Sequence, residues 1–195
     1  APTLSAEDSL PIAGGLLGGV DLPPALQSLV LDKADGNPFF IEELVRSLEE
    51  LGAVRRDGDL TVSLTTTLDH MAVPDTVQEV ILARTHRLDE PLRHLLEVAA
   101  VIGKNVPFAV LRAVTGRAEG ALAADLRRLQ DAEFIYETRS FPEVEYTFKH
   151  ALTHDVAYGR IDAESRRALH ARIVAALEAL YPDRLEEHAE WLAYH

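Results

Sequence analysis

Leucine, valine, isoleucine and alanine recur at three- and four-residue spacing through most of this chain, and one stretch breaks that rhythm. From Phe134 to His150 the run FIYETRSFPEVEYTFKH sets Ile135, Tyr136 and Thr138 on one side of Ser140, Phe141 and Pro142, and Val144, Tyr146, Thr147 and Phe148 on the other. β-Branched and aromatic residues flanking a turn predict a hairpin, here the one piece of the chain that reads as β. Two strands alone are marginal in water, so the hairpin must lay one face on a helix. The segment Glu119 to Ala132 offers one, with Leu122, Leu126 and Leu129 in register and Arg127 and Arg128 turned outward.

Upstream, Ser5 to Asp8 reads as a helix start, but Pro11 and the Gly14–Gly15 and Gly18–Gly19 pairs weaken its continuation. Pro23 and Pro24 open a firmer helix with Leu26, Leu29, Val30 and Ala34 on one face, ending at Asp35 with Gly36 as its stop. After Gly36-Asn37-Pro38 comes a strongly patterned helix carrying Ile41, Leu44, Val45, Leu48 and Leu51, stopped by Gly52. Ala53 to Leu64, around Arg56-Asp57-Gly58-Asp59, reads as a short hairpin or an extended linker, and the Thr-rich segment to His70 as loose chain. A domain border is expected near Ala72. Asp75 is expected to cap the next helix, with Val77, Val80, Ile81, Ala83 and Arg84 running to Leu88. Asp89 caps another, apolar at Leu92, Leu95, Leu96, Val98, Ala99 and Ile102 and closed by Gly103, and Val106 to Val114 makes a third. The last two of these, then Glu119 to Ala132, give three helices followed by a hairpin, the order of a winged helix. Ala151 to Gly159, Glu164 to Tyr181 and Leu185 to His195 are further helices, the last with no visible partner.

Charge changes the picture. The chain of 195 residues carries 19 basic and 32 acidic residues, a formal net charge of −13. Binders of nucleic acid neutralise phosphate with clustered Lys and Arg, so a winged helix of this balance is expected to meet protein rather than DNA. With no cysteine, disulfides, thiolate metal sites and thiol nucleophiles are excluded. No apolar run approaches the ~20 residues of a membrane span, and the opening residues lack a basic signal-peptide region; a cytoplasmic location is expected.

Candidate chemistry is sparse. His150, His154 and Asp155 share a helical spacing that can grip a metal, but Ala151 stands where the zinc-protease pattern needs Glu, and a hydrogen-bonded His150 with a solvated His154 is the plainer reading. Gly103-Lys104 is followed by Asn105, and Val98 occupies the first glycine position of a phosphate-binding loop. No hydrophobic strand ends in paired acids, and no Gly-x-Ser-x-Gly elbow occurs. Paired carboxylates such as Glu49-Glu50 read as solvated charges, and this segment by itself is expected to be no enzyme, with no catalytic residue and no metal site.

Four runs in order, LDKADGNPFFIEELVRSLEELGAV, AVPDTVQEVILARTHRL, FPEVEYTFKHALTHDVAYG and RRALHARIVAALEAL, resemble the C-terminal half of a STAND-class signal-transduction ATPase. Bacterial members are fused to nucleotide cyclase or LuxR-type DNA-binding domains and followed by tetratricopeptide-like repeats. The resemblance implies a mainly α fold: a helical lid plus a winged-helix domain with a short β-hairpin wing, followed by TPR-like helices. Residues 1–53 would be the lid, 54–72 a linker, 73–160 the winged helix and 161–195 the start of the repeats. It also implies that Gly36, Asn37 and Pro38 contact the adenine of ADP or ATP, and that His150 reaches the β-phosphate of ADP. Lys149 and Ala151 replace the Met and Asp that flank that histidine in immune relatives. The nucleotide, with Mg, would be held by the longer parent and not by this segment alone. The implied partners are an upstream nucleotide-binding domain, downstream helical repeats and a protein effector, with no membrane and no DNA contact. Exchange of ADP for ATP would release the histidine and pass the nucleotide state to the effector. Two rival readings are a transcription factor reading DNA through Leu122 to Gln130, and an interaction scaffold for which nucleotide is irrelevant.

Overall fold

The computed structural model describes residues 5–18, 21–56, 62–65, 74–140 and 143–195. The chain folds as two units, Ala1–Arg84 and Thr85–His195, with the division falling inside a helix. The border expected near Ala72, the turn at Asp57 to Asp59, the Thr-rich segment around His70, and Phe141 and Pro142 lie outside the described residues. The described residues are mainly helical, with two small antiparallel sheets. Among them, no helix is long and apolar enough to cross a membrane.

The first unit is built from α1 (Ala6–Leu16), α2 (Pro24–Ala34), α3 (Pro38–Glu50), β1 (Val54–Arg56), β2 (Val62–Leu64) and the start of α4 (Val77–Arg87). Ser5 caps α1 by accepting from the Asp8 amide at 3.2 Å. The expected weakening at Pro11 does not interrupt this helix, which runs on to Leu16. Pro11 is exposed and costs one intrahelical bond, while Ala13 and Leu17 are buried in the unit's core. Packing of an amphipathic face outweighs that loss. α3 supplies the core stripe Phe40, Ile41, Leu44, Val45 and Leu48. It ends in a paired turn, with the Gly52 amide donating to Glu49 O at 2.8 Å and the Ala53 amide to Leu48 O at 2.9 Å. Gly52 holds φ 65° there, a left-handed conformation that glycine adopts without penalty. Leu51, expected on the apolar row, is half exposed because the helix has already turned. Of the two readings for Ala53 to Leu64, the hairpin is found: β1 and β2 pair antiparallel, Val54 opposite Leu64.

Thr76 caps α4 in place of the expected Asp75. Thr76 Oγ1 accepts from the Glu79 amide at 3.2 Å, and Glu79 Oε2 accepts from the amides of Asp75 at 3.0 Å and Thr76 at 3.1 Å. This is a reciprocal capping box. The Asp75 carboxylate is engaged elsewhere, in an ion pair with Lys33.

The second unit is organised around α5 (Glu90–Ile102), capped by Asp89, whose carboxylate accepts from the Leu92 amide at 3.0 Å. Eight residues of α5 are buried, including the continuous run Val98 to Ile102, so its C-terminal half is surrounded. Then come β3 (Asn105–Pro107), α6 (Phe108–Thr115), α7 (Glu119–Asp131), β4 (Ile135–Arg139), β5 (Glu145–Phe148), α8 (Ala151–Gly159) and α9 (Ala163–Leu180). A 3-10 turn at Pro182–Arg184 and α10 (Ala189–Tyr194) complete it. The hairpin forms as expected, with Ile135 opposite Phe148 and a bulge between Glu137 and Arg139. It is not alone. Val106 and Pro107, expected to begin a helix, lie instead in the strand Asn105–Pro107 paired with β5, so the sheet has three strands in the order β3-β5-β4. A residue that precedes proline is pushed to extended backbone, and Val106, opposite Tyr146, is buried.

Leu122, Leu126 and Leu129 of α7 join Val110, Leu111 and Val114 of α6 in one core, as their spacing requires. Leu169, Ile173, Ala176 and Leu177 of α9 belong to the same core. The last helix is shorter than expected, six residues, and does have a partner: Trp191 and Leu192 pack on that core, and Trp191 Nε1 donates to Ile102 O at 3.2 Å.

Candidate functional site

The α2–α3 corner carries three of the four residues implied to bind nucleotide. α2 stops at Ala34, one residue before the expected end, because Asp35 turns left-handed at φ 43°. Gly36 comes next at φ 70°, so two successive residues are left-handed and reverse the chain within one step. The Asn37 amide donates back to Ala34 O at 2.8 Å. Asn37 then caps α3: its Oδ1 accepts from the amides of Phe39 at 3.1 Å and Phe40 at 3.3 Å. Pro38 occupies the first helical turn, where its missing amide costs nothing and its ring fixes φ. The Asn37 acceptor is thus consumed by the helix. What the corner offers outward is the half-buried proline ring and the side-chain amide of an exposed asparagine.

His150 lies in the second unit, at the junction of β5 and α8, with extended backbone at φ −134° and ψ 143°. Its carbonyl accepts the Thr153 amide at 3.1 Å, and its ring is half-buried. The residue before it, Lys149, is ion-paired with Glu133. The structure therefore brings Gly36, Asn37 and Pro38 together at one corner and sets His150 at a strand-to-helix corner of the other unit.

His154 is not solvated as expected. Its side chain is 14% exposed, Nε2 donates to Ala100 O at 3.0 Å, and Nδ1 lies 3.0 Å from Asp155 Oδ1. The ring meets Phe148 edge-on at 5.2 Å and stacks on Tyr158 at 6.1 Å. This is a structural clamp joining α8 to α5. Among the described residues, no group of three or more His, Asp or Glu is placed to hold a metal.

Sequence reasoning missed a buried charge cluster in the first unit. Arg84 and Glu43 are each 2% exposed and form an ion pair, and Arg84 Nε also donates to Glu50 Oε1 at 2.9 Å. Glu50, one of the carboxylates read as solvated, is therefore tied to α4. Arg84 repeats the spacing of Val77, Val80 and Ile81, and that position on an apolar row was the available signal.

A second cluster closes the last unit. His170 Nδ1 and His195 Nδ1 are 2.7 Å apart, so only one of them carries the proton between them. Burial, and then the neighbouring His170, holds His195 down to about 4; burial and then Arg166 hold His170 below its ordinary value. Tyr181 is pushed up to about 12 by burial and by its hydrogen bond to Glu143 at 2.9 Å.

The profile of a domain of unknown function, DUF8739, matches residues 5–58, which cover α1, α2, α3 and β1. No curated protein matches the chain.

Proposed function

We propose that this chain is a non-catalytic regulatory segment of a STAND-type ATPase, coupling adenine-nucleotide state to an effector domain. In this reading the first unit contributes a helical lid and the second a winged helix, followed by the first TPR-like helices. The observation that carries it is the ordered succession of the four family-like runs along the sequence. The helices α5, α6 and α7 followed by the β4–β5 ribbon support the winged-helix part. The left-handed Asp35–Gly36 step and the fixed ring of Pro38 support adenine recognition, since a rigid apolar face loses little entropy when a base stacks on it. An imidazole at the position of His150 could donate a charge-assisted hydrogen bond to a diphosphate. Mg and the triphosphate would be handled by the upstream domain.

The test is ADP affinity of the chain extended upstream through a phosphate-binding loop. Pro38→Ala and His150→Ala should each weaken ADP by about tenfold, the worth of one charge-assisted or well-packed contact. Unchanged affinity in both variants removes the site assignment.

A further inference from the structure

In the second unit, a concavity of about 490 Å³ opens between the end of α5, β3, β5, α8 and α10. That volume lies within the range of small-molecule sites. Trp191 and Tyr194 of α10 line it, and Tyr194 stays 61% exposed beside its edge contacts with His170 and His195. The indole is already fixed by its bond to Ile102 O at 3.2 Å, so its presentation costs no further ordering on binding. Next to Ile102, Gly103 holds φ 132°, and a Cβ there would meet nothing within 4 Å, which leaves that part of the lining open.

The charges in this pocket do not cancel locally. Glu145 is answered by Arg139 at 4.0 Å, and both ring nitrogens of His154 already have polar neighbours on α5 and α8. The Lys104 ammonium, by contrast, has no carboxylate partner among the described residues. We propose that this pocket binds a small planar anion, an aromatic or heteroaromatic carboxylate, with its ring against Trp191 and Tyr194 and its carboxylate on Lys104. The net charge of −13 opposes anions only at long range, where salt screens it within about 8 Å, whereas the ammonium contact is direct. Such a ligand would bridge α10 to the body of the unit, so occupancy would fasten the segment after α9. This inference is independent of the nucleotide reading.

Trp191 is the single tryptophan of the sequence, so its indole N–H resonance reports on this pocket alone. The test is titration of the full chain with 2-naphthoate, and in parallel with the neutral 2-naphthamide. A saturable shift of the indole resonance with 2-naphthoate is expected, with affinity about tenfold weaker for the amide and for naphthoate on Lys104→Met. Lys104 is exposed, so its replacement leaves the core intact. Equal affinity for acid and amide, unchanged binding by Lys104→Met, or an indole resonance that never saturates would each overturn the proposal.

Discussion

Replacing Arg84 by methionine would leave the Glu43 carboxylate at 2% exposure with its guanidinium partner gone. A charge stranded in this way costs about 3–5 kcal/mol, because water cannot reach it and the attraction that offset its desolvation is lost. Glu50 adds little to that figure: its side chain is 30% exposed, and a hydrated carboxylate loses no more than about 1 kcal/mol with its pair. A loss of this size is a large part of the roughly 5–15 kcal/mol that holds a domain together. Glu43→Leu alone leaves Arg84 its contacts to Glu50 and should cost less than the loss of Arg84. The double variant Arg84→Met with Glu43→Leu removes both charges and should recover most of the loss, giving a coupling of about 2–4 kcal/mol in a double-mutant cycle. Amide exchange across Ile41 to Leu48 is the readout, since these residues pack the same helix face as Glu43 and exchange only when α3 opens. A single-variant cost below about 1 kcal/mol, or a coupling near zero, would mean the pair behaves as an exposed one and the burial argument fails.

Asn37→Ala removes the acceptor for the Phe39 and Phe40 amides and should cost about 1 kcal/mol, seen as a lower urea midpoint and faster exchange at those two amides; an unchanged midpoint would show that the cap is idle. Acidification should loosen α10. His195 binds its proton at about 4 when folded and near its ordinary 6.5 when the segment is released, so the released state takes up protons first and docking weakens as pH falls through that interval. His170, lowered in the same sense and facing Arg166, Tyr158, Tyr194 and His195, adds to the effect. The emission of Trp191 should move to the red across that window, and His195→Gln should reduce the movement to the part that His170 supplies; flat emission in the parent chain would refute it.

The elements most legible in the sequence are those whose boundaries carry their own chemistry. α3 announces itself through Asn37-Pro38 at its start and Gly52 after its end, and α5 through Asp89 and Gly103, since caps act within a few residues and can be read locally. The hairpin of β4 and β5 is legible for the same reason. β3 is not, because three residues have no period and their partner lies about forty positions downstream, between Asn105 and Thr147. Thr76 could have been found, as Thr-x-x-Glu is itself a start signal, but Asp75 offered a stronger-looking cap one residue earlier. The continuity of α1 through Pro11 and the burial of Arg84 depend on what packs against them, which no local window contains. Only the family resemblance, and no local pattern, implies a nucleotide for the α2–α3 corner and His150. Local chemistry explains why Gly36, Asn37 and Pro38 make that corner, and leaves their ligand to the binding experiment.

The three-stranded sheet also bears on how the protein behaves in crowded solution. A strand at the border of a sheet is a template on which another chain can add, and natural proteins blunt such borders with proline, charge or irregularity. Here β3 is only three residues long and finishes in Pro107, which has no amide to offer. At the other margin, β4 carries Glu137 and Arg139 on either side of its bulge, a kink that spoils the flat alignment an incoming strand requires. Both ways into fibril-like growth are therefore closed by the same short segments that complete the core.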